Sequence, residues 1–154
     1  MKSVPTILVP HYRPDWHNYF LGIAAEVSSR STCLRAQYGA VIVDQSHTII
    51  STGYNGAPTG MISCYEKLLC IRDELNIPSG MNYELCKSVH SEANAIIRSR
   101  SSVRGCQLYI SSFNRELDFE PCDMCKRMMV NAGIEECIYM RENELVVADV
   151  SYYR

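Results

Sequence analysis

Metal-binding residue types recur at short, regular spacing at two places in this chain. His90 and Glu92 stand one residue apart between Val89 and Ile97, and Cys122 and Cys125 follow Pro121 as Cys-x-x-Cys. One imidazole, two thiolates and a carboxylate are the ligands and proton carrier that a hydrolytic zinc site needs. His90, Cys122 and Cys125 are therefore the expected ligands of a catalytic zinc. Three protein ligands leave one position for water, and the metal lowers the pKa of that water toward neutrality. Glu92 can project beside the metal without ligating it, which suits a carrier of protons. A purely structural zinc is the competing reading, but such sites usually close with a fourth protein ligand.

These residues need two helices to carry them. The pattern predicts one helix over residues 90–100, with Ala93, Ile96 and Ile97 on its buried face. It predicts another over 122–132, with Met124, Met128 and Met129 filling the core and Gly133 as the stop. The ligands then sit at helix N-termini, whose positive dipole ends favour thiolates. Each helix is followed by a strand, 106–111 and 136–140, and two such units argue for parallel pairing in a mixed sheet.

Upstream, Pro5, Pro10 and Pro14 keep the start extended, and Asp15 caps a first helix over 15–29 bearing Trp16, Phe20, Ile23, Ala24 and Val27. Residues 39–44 and 48–53 read as an antiparallel hairpin ending in Gly53, Tyr54, Asn55 and Gly56. By pattern alone that tetrapeptide is an ordinary glycine-bounded turn. Residues 145–150 add a last strand. His11, His17 and His47 read as surface or cap-side histidines.

Residues 57–88 contain no clear strand and one helix near 65–75, an excursion that something must fasten. Cys64, Cys70 and Cys86 fall within it and Cys33 stands before the hairpin. Together they suggest a closed structural zinc site, with the reading of each as a small buried hydrophobe standing beside it. A chain of 154 residues, 47% hydrophobic, suits one domain spanning 1–154 with 57–88 as the insertion. A net charge of −2 offers no broad footprint for nucleic acid or a membrane surface. The proline-broken start resembles neither a signal peptide nor a membrane span, so a cytoplasmic protein is expected. Its eight cysteines then read mainly as metal ligands.

The combination of His-x-Glu with Pro-Cys-x-x-Cys is the known signature of zinc nucleobase deaminases. With Arg30 to Cys33, Tyr38 to Val43, Gly53 to Gly56 and His90 to Ile96 in this order, the chain resembles the deoxycytidylate deaminase family over about residues 15–140. The resemblance implies a cytidine deaminase-like α/β fold, a three-layer α/β/α sandwich with a mixed five-stranded sheet. It also implies hydrolysis of dCMP to dUMP and ammonia, which feeds dTMP synthesis. It carries the catalytic zinc onto His90, Cys122 and Cys125, the proton shuttle onto Glu92 and a deoxyribose contact onto Asn55. Tyr54 and Ser91 are expected beside the substrate, and Arg98 and Arg100 are candidates for its phosphate. Family members support a second zinc through Cys33 and Cys64, with Cys70 and Cys86 completing it. They further imply dCTP and dTTP effectors, one of them accompanied by Mg, and a homo-oligomer, a hexamer by resemblance.

The chain departs from the family in three ways. Ser91 replaces the usual alanine, the 111–121 loop is longer, and no long C-terminal helix and strand follow. Deamination of a modified or triphosphorylated cytosine nucleotide is the alternative reaction. A non-catalytic nucleotide sensor is the alternative class, and Glu92 argues against it.

Overall fold

The computed structural model describes residues 12–114 and 119–154. In chain order the elements are α1 (Trp16–Ser28), β1 (Gly39–Val43), β2 (Ile49–Tyr54), α2 (Cys64–Lys67), α3 (Ile71–Glu74), α4 (Ser91–Arg98), β3 (Gln107–Ser111), α5 (Asp123–Ala132), β4 (Glu136–Arg141) and β5 (Glu144–Asp149). His11, Pro5, Pro10 and the 115–118 part of the long loop lie outside the described residues.

The strands form one sheet in the order β2-β1-β3-β4-β5. β1 runs antiparallel to both β2 and β3, β3 is parallel to β4, and β4 is antiparallel to β5. The sheet is mixed and five-stranded, as expected, and the parallel pair is the one joined through α5.

Side chains alternate across a strand, so β1 serves two cores. Val41 and Val43 join Tyr109 and Ile138 under Phe20, Leu21 and Ala24 of α1. Ala40 and Ile42 face the other way, toward Leu108, Ile110, Cys137, Ala95 of α4 and Met129 of α5. All five residues of β1 are consequently buried. One layer of helix on each side of the sheet makes the α/β/α sandwich. Asp15 starts α1 by accepting the Asn18 N–H at 2.9 Å. A Cβ on Gly39 would lie 2.0 Å from the Ala24 carbonyl oxygen, so α1 rides directly on the sheet there.

Several expectations need correction. The helix near 65–75 is two short helices, because Leu68 adopts the left-handed conformation (φ 52°) and closes α2. In one unbroken helix Cys64 and Cys70 would point about 120° apart; after the break both line the same cleft. Ile97 is 66% exposed, since α4 turns Ala93 and Ala95 to the interior instead. Met124 is also exposed and borders the cleft, whereas Met129 fills the core.

Residues 57–88 leave and re-enter the fold at one point. The Gly56 N–H donates to the Val89 carbonyl at 3.1 Å, and the Val89 N–H to that of Gly56 at 2.8 Å. A further bond from the Tyr65 N–H to the Thr32 carbonyl, 3.1 Å, ties α2 to the connection that carries Cys33. No helix among the described residues is long and apolar enough to cross a membrane.

Candidate active site

The starts of α4 and α5 meet on one face of the sheet, that of α4 against Gly53 of β2. His90 is the N-cap residue of α4 and Cys122 that of α5, both with extended backbone, so their side chains leave before the helices begin. Cys122 Sγ also accepts the Cys125 N–H at 3.5 Å, which holds the two sulfurs on one side of the first turn. His90 Nδ1 lies 3.4 Å from Cys122 Sγ and 3.5 Å from Cys125 Sγ. Among the described residues, His90, Cys122 and Cys125 form the one group of three or more potential ligands whose donor atoms all lie within 4.8 Å of each other. A tetrahedral zinc with ordinary bond lengths spaces a nitrogen and a sulfur ligand about 3.5 Å apart. The observed separations are edges of such a tetrahedron, so the donor set fits zinc.

The electrostatics point the same way. The Cys122 thiol is held well below its ordinary value, first because it accepts from the Cys125 thiol and then because it bonds with His90. Cys125, the donor of that pair and deeply buried, is pushed upward. The lowered Cys122 thiol favours the thiolate, the form that binds metal.

Glu92 is 2% exposed, in the first turn of α4. Ser91 is fully buried and donates from Oγ to Glu92 Oε2 at 2.9 Å. Burial pushes the Glu92 carboxyl up from the usual carboxylate range, which suits a group that must take and give a proton. The serine therefore orients the acid.

A cleft of about 830 Å³ opens over this cluster, within the range of small-molecule sites. Cys33, Cys64, Cys70 and Cys86 all line it. They are spread more widely than the His90 group, although burial and the neighbouring Cys70, Cys33 and Cys86 raise the Cys64 thiol. Asn55 also borders the cleft, and most of its amide is in use. Oδ1 accepts from Ser31 Oγ at 2.7 Å and from the Tyr38 N–H at 2.8 Å, while Nδ2 donates to the Ala36 carbonyl at 2.8 Å. One N–H remains for a ligand.

Gly53 explains how the hairpin reaches the site. A Cβ there would sit 2.3 Å from the Ala95 nitrogen and 2.4 Å from the Ser91 oxygen, so β2 and the first turns of α4 touch through their backbones. The tetrapeptide is more than a turn: Gly53 seats α4 and Asn55 holds the 31–38 connection.

Tyr54, Arg98 and Arg100 are not among the cleft residues. Arg98 instead lies over the Tyr54 ring, 5.4 Å from its centroid, on the outward side of α4, and Arg100 follows the helix end. His17 bonds Tyr109 and His47 stacks on Trp16, both away from the cleft. The cations that do line it are Arg35, Arg72, Lys126 and Arg127, with Tyr83 beside His90 at a ring separation of 5.0 Å. The sequence reasoning missed these, and the one available signal was an arginine between two cysteines of the insertion.

The profile of the family described as the cytidine and deoxycytidylate deaminase zinc-binding region matches residues 14–141. The chain belongs to this family. It is similar to the deoxycytidylate deaminase of Mycobacterium phage D29, at 37% identity over 85% of this chain and 98% of that one. It is also similar to the deoxycytidylate deaminase of Mus musculus, at 34% identity over 83% of this chain and 66% of the mouse protein. Among solved structures, the dCMP deaminase of cyanophage S-TIM5 in complex with dCMP and dUMP aligns at TM-score 0.61 and 25% identity, covering 84% of this chain and 83% of that one. The cytidine deaminase of Burkholderia pseudomallei shares the fold, with TM-score 0.57 at 13% identity over 89% of this chain and 94% of that one. The cytidine deaminase-like sandwich expected for this family is the fold observed.

Proposed function

We propose that this protein is a zinc-dependent deaminase that hydrolyses dCMP to dUMP and ammonia. The observation that carries the reading is the buried Glu92 carboxyl beside a donor triangle of zinc-site dimensions, in a nucleotide-sized cleft. Kinship with deoxycytidylate deaminases supplies the substrate. His90, Cys122 and Cys125 hold the zinc, which when bound makes water a nucleophile at neutral pH.

The chain's own groups do the rest. Glu92 takes a proton from the attacking water and delivers it to N3 of the pyrimidine. A second proton passes through the same carboxylate to the exocyclic amine. The C4–N4 bond breaks, ammonia leaves and C4 keeps the oxygen as the uracil carbonyl. Ser91 keeps Glu92 aimed, and the remaining Asn55 N–H meets a hydroxyl of the deoxyribose.

Around this centre the chain works as one domain, with residues 57–88 fastened by a second, structural zinc on Cys33, Cys64, Cys70 and Cys86. Their shared position on the cleft wall supports that reading. Regulation by dCTP and dTTP, a Mg ion with the effector, a hexameric assembly and a cytoplasmic setting are proposed on family likeness.

Ammonia release from dCMP, dCTP, CMP, cytidine and hydroxymethyl-dCMP is the decisive assay. dCMP should be the best substrate. Zinc-loaded protein that turns over none of them would overturn the enzyme reading, and preference for dCTP or hydroxymethyl-dCMP would favour the alternative reaction. Two zincs per chain by elemental analysis are expected, and one would reject the structural site.

A further inference from the structure

The insertion turns one cation inward. Arg72 of α3 is 7% exposed, although its chain neighbours Ile71 and Asp73 lie open to solvent. Nη2 donates to the Pro78 and Met81 carbonyls, 2.8 Å each, which pins the guanidinium against the 78–81 turn. Its carbon stands 4.7 Å from the Tyr83 ring centroid, and Tyr83 in turn meets His90 edge-on at 5.0 Å. Arg72, Tyr83 and His90 therefore form a row along one wall of the cleft.

This guanidinium is incompletely partnered. Nε is buried and has no hydrogen-bond acceptor. Among the described residues no carboxylate pairs with Arg72. The other cleft cations differ: Arg35 pairs with Asp73 at 3.1 Å, Lys126 pairs with Glu120 at 2.8 Å, and Arg127 is exposed. A buried charge without a counter-ion is costly, and one retained beside an open cleft calls for an anion from outside. Arginine is well suited to phosphate because its guanidinium stays charged and carries several fixed donors.

We propose that Arg72 holds the 5′-phosphate of the nucleotide, with Tyr83 bracing the guanidinium and spacing it from the reacting base. This assignment rests on the dCMP reading and moves the phosphate from α4, where Arg98 and Arg100 face away, to the insertion. The 57–88 segment then selects for a nucleotide over a nucleoside.

The experiment compares dCMP with deoxycytidine in wild type, Arg72→Gln and Arg72→Lys, each checked for zinc content. Wild type should prefer dCMP. In Arg72→Gln that preference should collapse about 100-fold, mainly through KM for dCMP, and Arg72→Lys should recover part of it. A preference that survives in zinc-loaded Arg72→Gln overturns the assignment. So does a parallel fall for both substrates, which would make Arg72 only a clasp on the 78–81 turn. If wild type itself prefers deoxycytidine, the dCMP reading fails and the assignment falls with it, whereas a dCMP preference that survives in Arg72→Gln overturns the assignment alone. Should Arg72→Gln not fold, the Arg72 Nε–H resonance of the wild-type protein, assigned by its loss in Arg72→Lys, decides. It should shift with dCMP and with inorganic phosphate but not with deoxycytidine, and an unmoved signal at saturating dCMP overturns the proposal.

Discussion

Replacing Gly53 with alanine adds one methyl group at the seam between β2 and α4. That methyl would stand 2.3 Å from the Ala95 nitrogen and 2.4 Å from the Ser91 oxygen, both backbone atoms that no side-chain rotation can move. Ordinary contact needs about 3.5 Å, so the start of α4 must retreat by roughly 1 Å. Overpacking of this kind costs about 1–3 kcal/mol, a fall in Tm of roughly 3–10 °C for a chain of this size. Function suffers more than stability, because the retreating turn carries Ser91 and Glu92 and borders His90. A displacement of about 1 Å at a catalytic group lowers turnover on the order of 100-fold. Gly22→Ala is the control: a Cβ there meets nothing within 4 Å in the exposed part of α1, so Tm should rise by a few degrees with activity unchanged. Calorimetry, zinc content and ammonia release from dCMP on both variants form the assay. Gly53→Ala with wild-type Tm and kcat/KM would refute the reasoning, as would an equal loss in Gly22→Ala.

The remaining expectations are brief. Glu92→Gln should keep its zinc and lose turnover by about 10²–10⁴-fold, measured as kcat at saturating dCMP; comparable activity would remove Glu92 from proton transfer. Asn55→Ala deletes hydrogen bonds to Ser31, Tyr38 and Ala36, and should lower stability by about 2–3 kcal/mol in urea while raising KM; an unchanged midpoint would deny it the bracing role. Chelation should abolish activity and lower Tm, and zinc should restore both; full activity in zinc-depleted protein would contradict the metal assignment.

Much of this arrangement was legible because local rules govern it. The hairpin of β1 and β2 follows from two β-branched runs across a short link, and the caps at His90 and Cys122 follow from where apolar periodicity begins. The cluster of His90, Cys122 and Cys125 is legible for the same reason, since each part sits within a few residues of a helix start. What escaped was set by distant partners. The interior place of β1 depends on its pairing with β3, from Gly39 with Ser111 to Val43 with Gln107, which no local pattern announces. The break at Leu68 opposes the propensity of its own segment, and α2 ends there with its cap bonds made to Cys64 and Tyr65. No local pattern marks Arg72, because its burial comes from the 78–83 turn folding back over it.

The bridge between Gly56 and Val89 gives the excursion a single doorway. Beyond the two backbone hydrogen bonds of that bridge, the excursion is tied to the 31–38 connection by the Tyr65 N–H on the Thr32 carbonyl and by Arg35 on the Ile77 carbonyl and Asp73. The core between the sheet, α4 and α5 closes beneath it without its residues. A segment with that attachment can be exchanged for another of different length and chemistry, provided its ends arrive one strand-spacing apart. The His90, Cys122 and Cys125 cluster and much of the cleft wall facing it thereby come from different parts of the chain, one from the scaffold and one from the excursion.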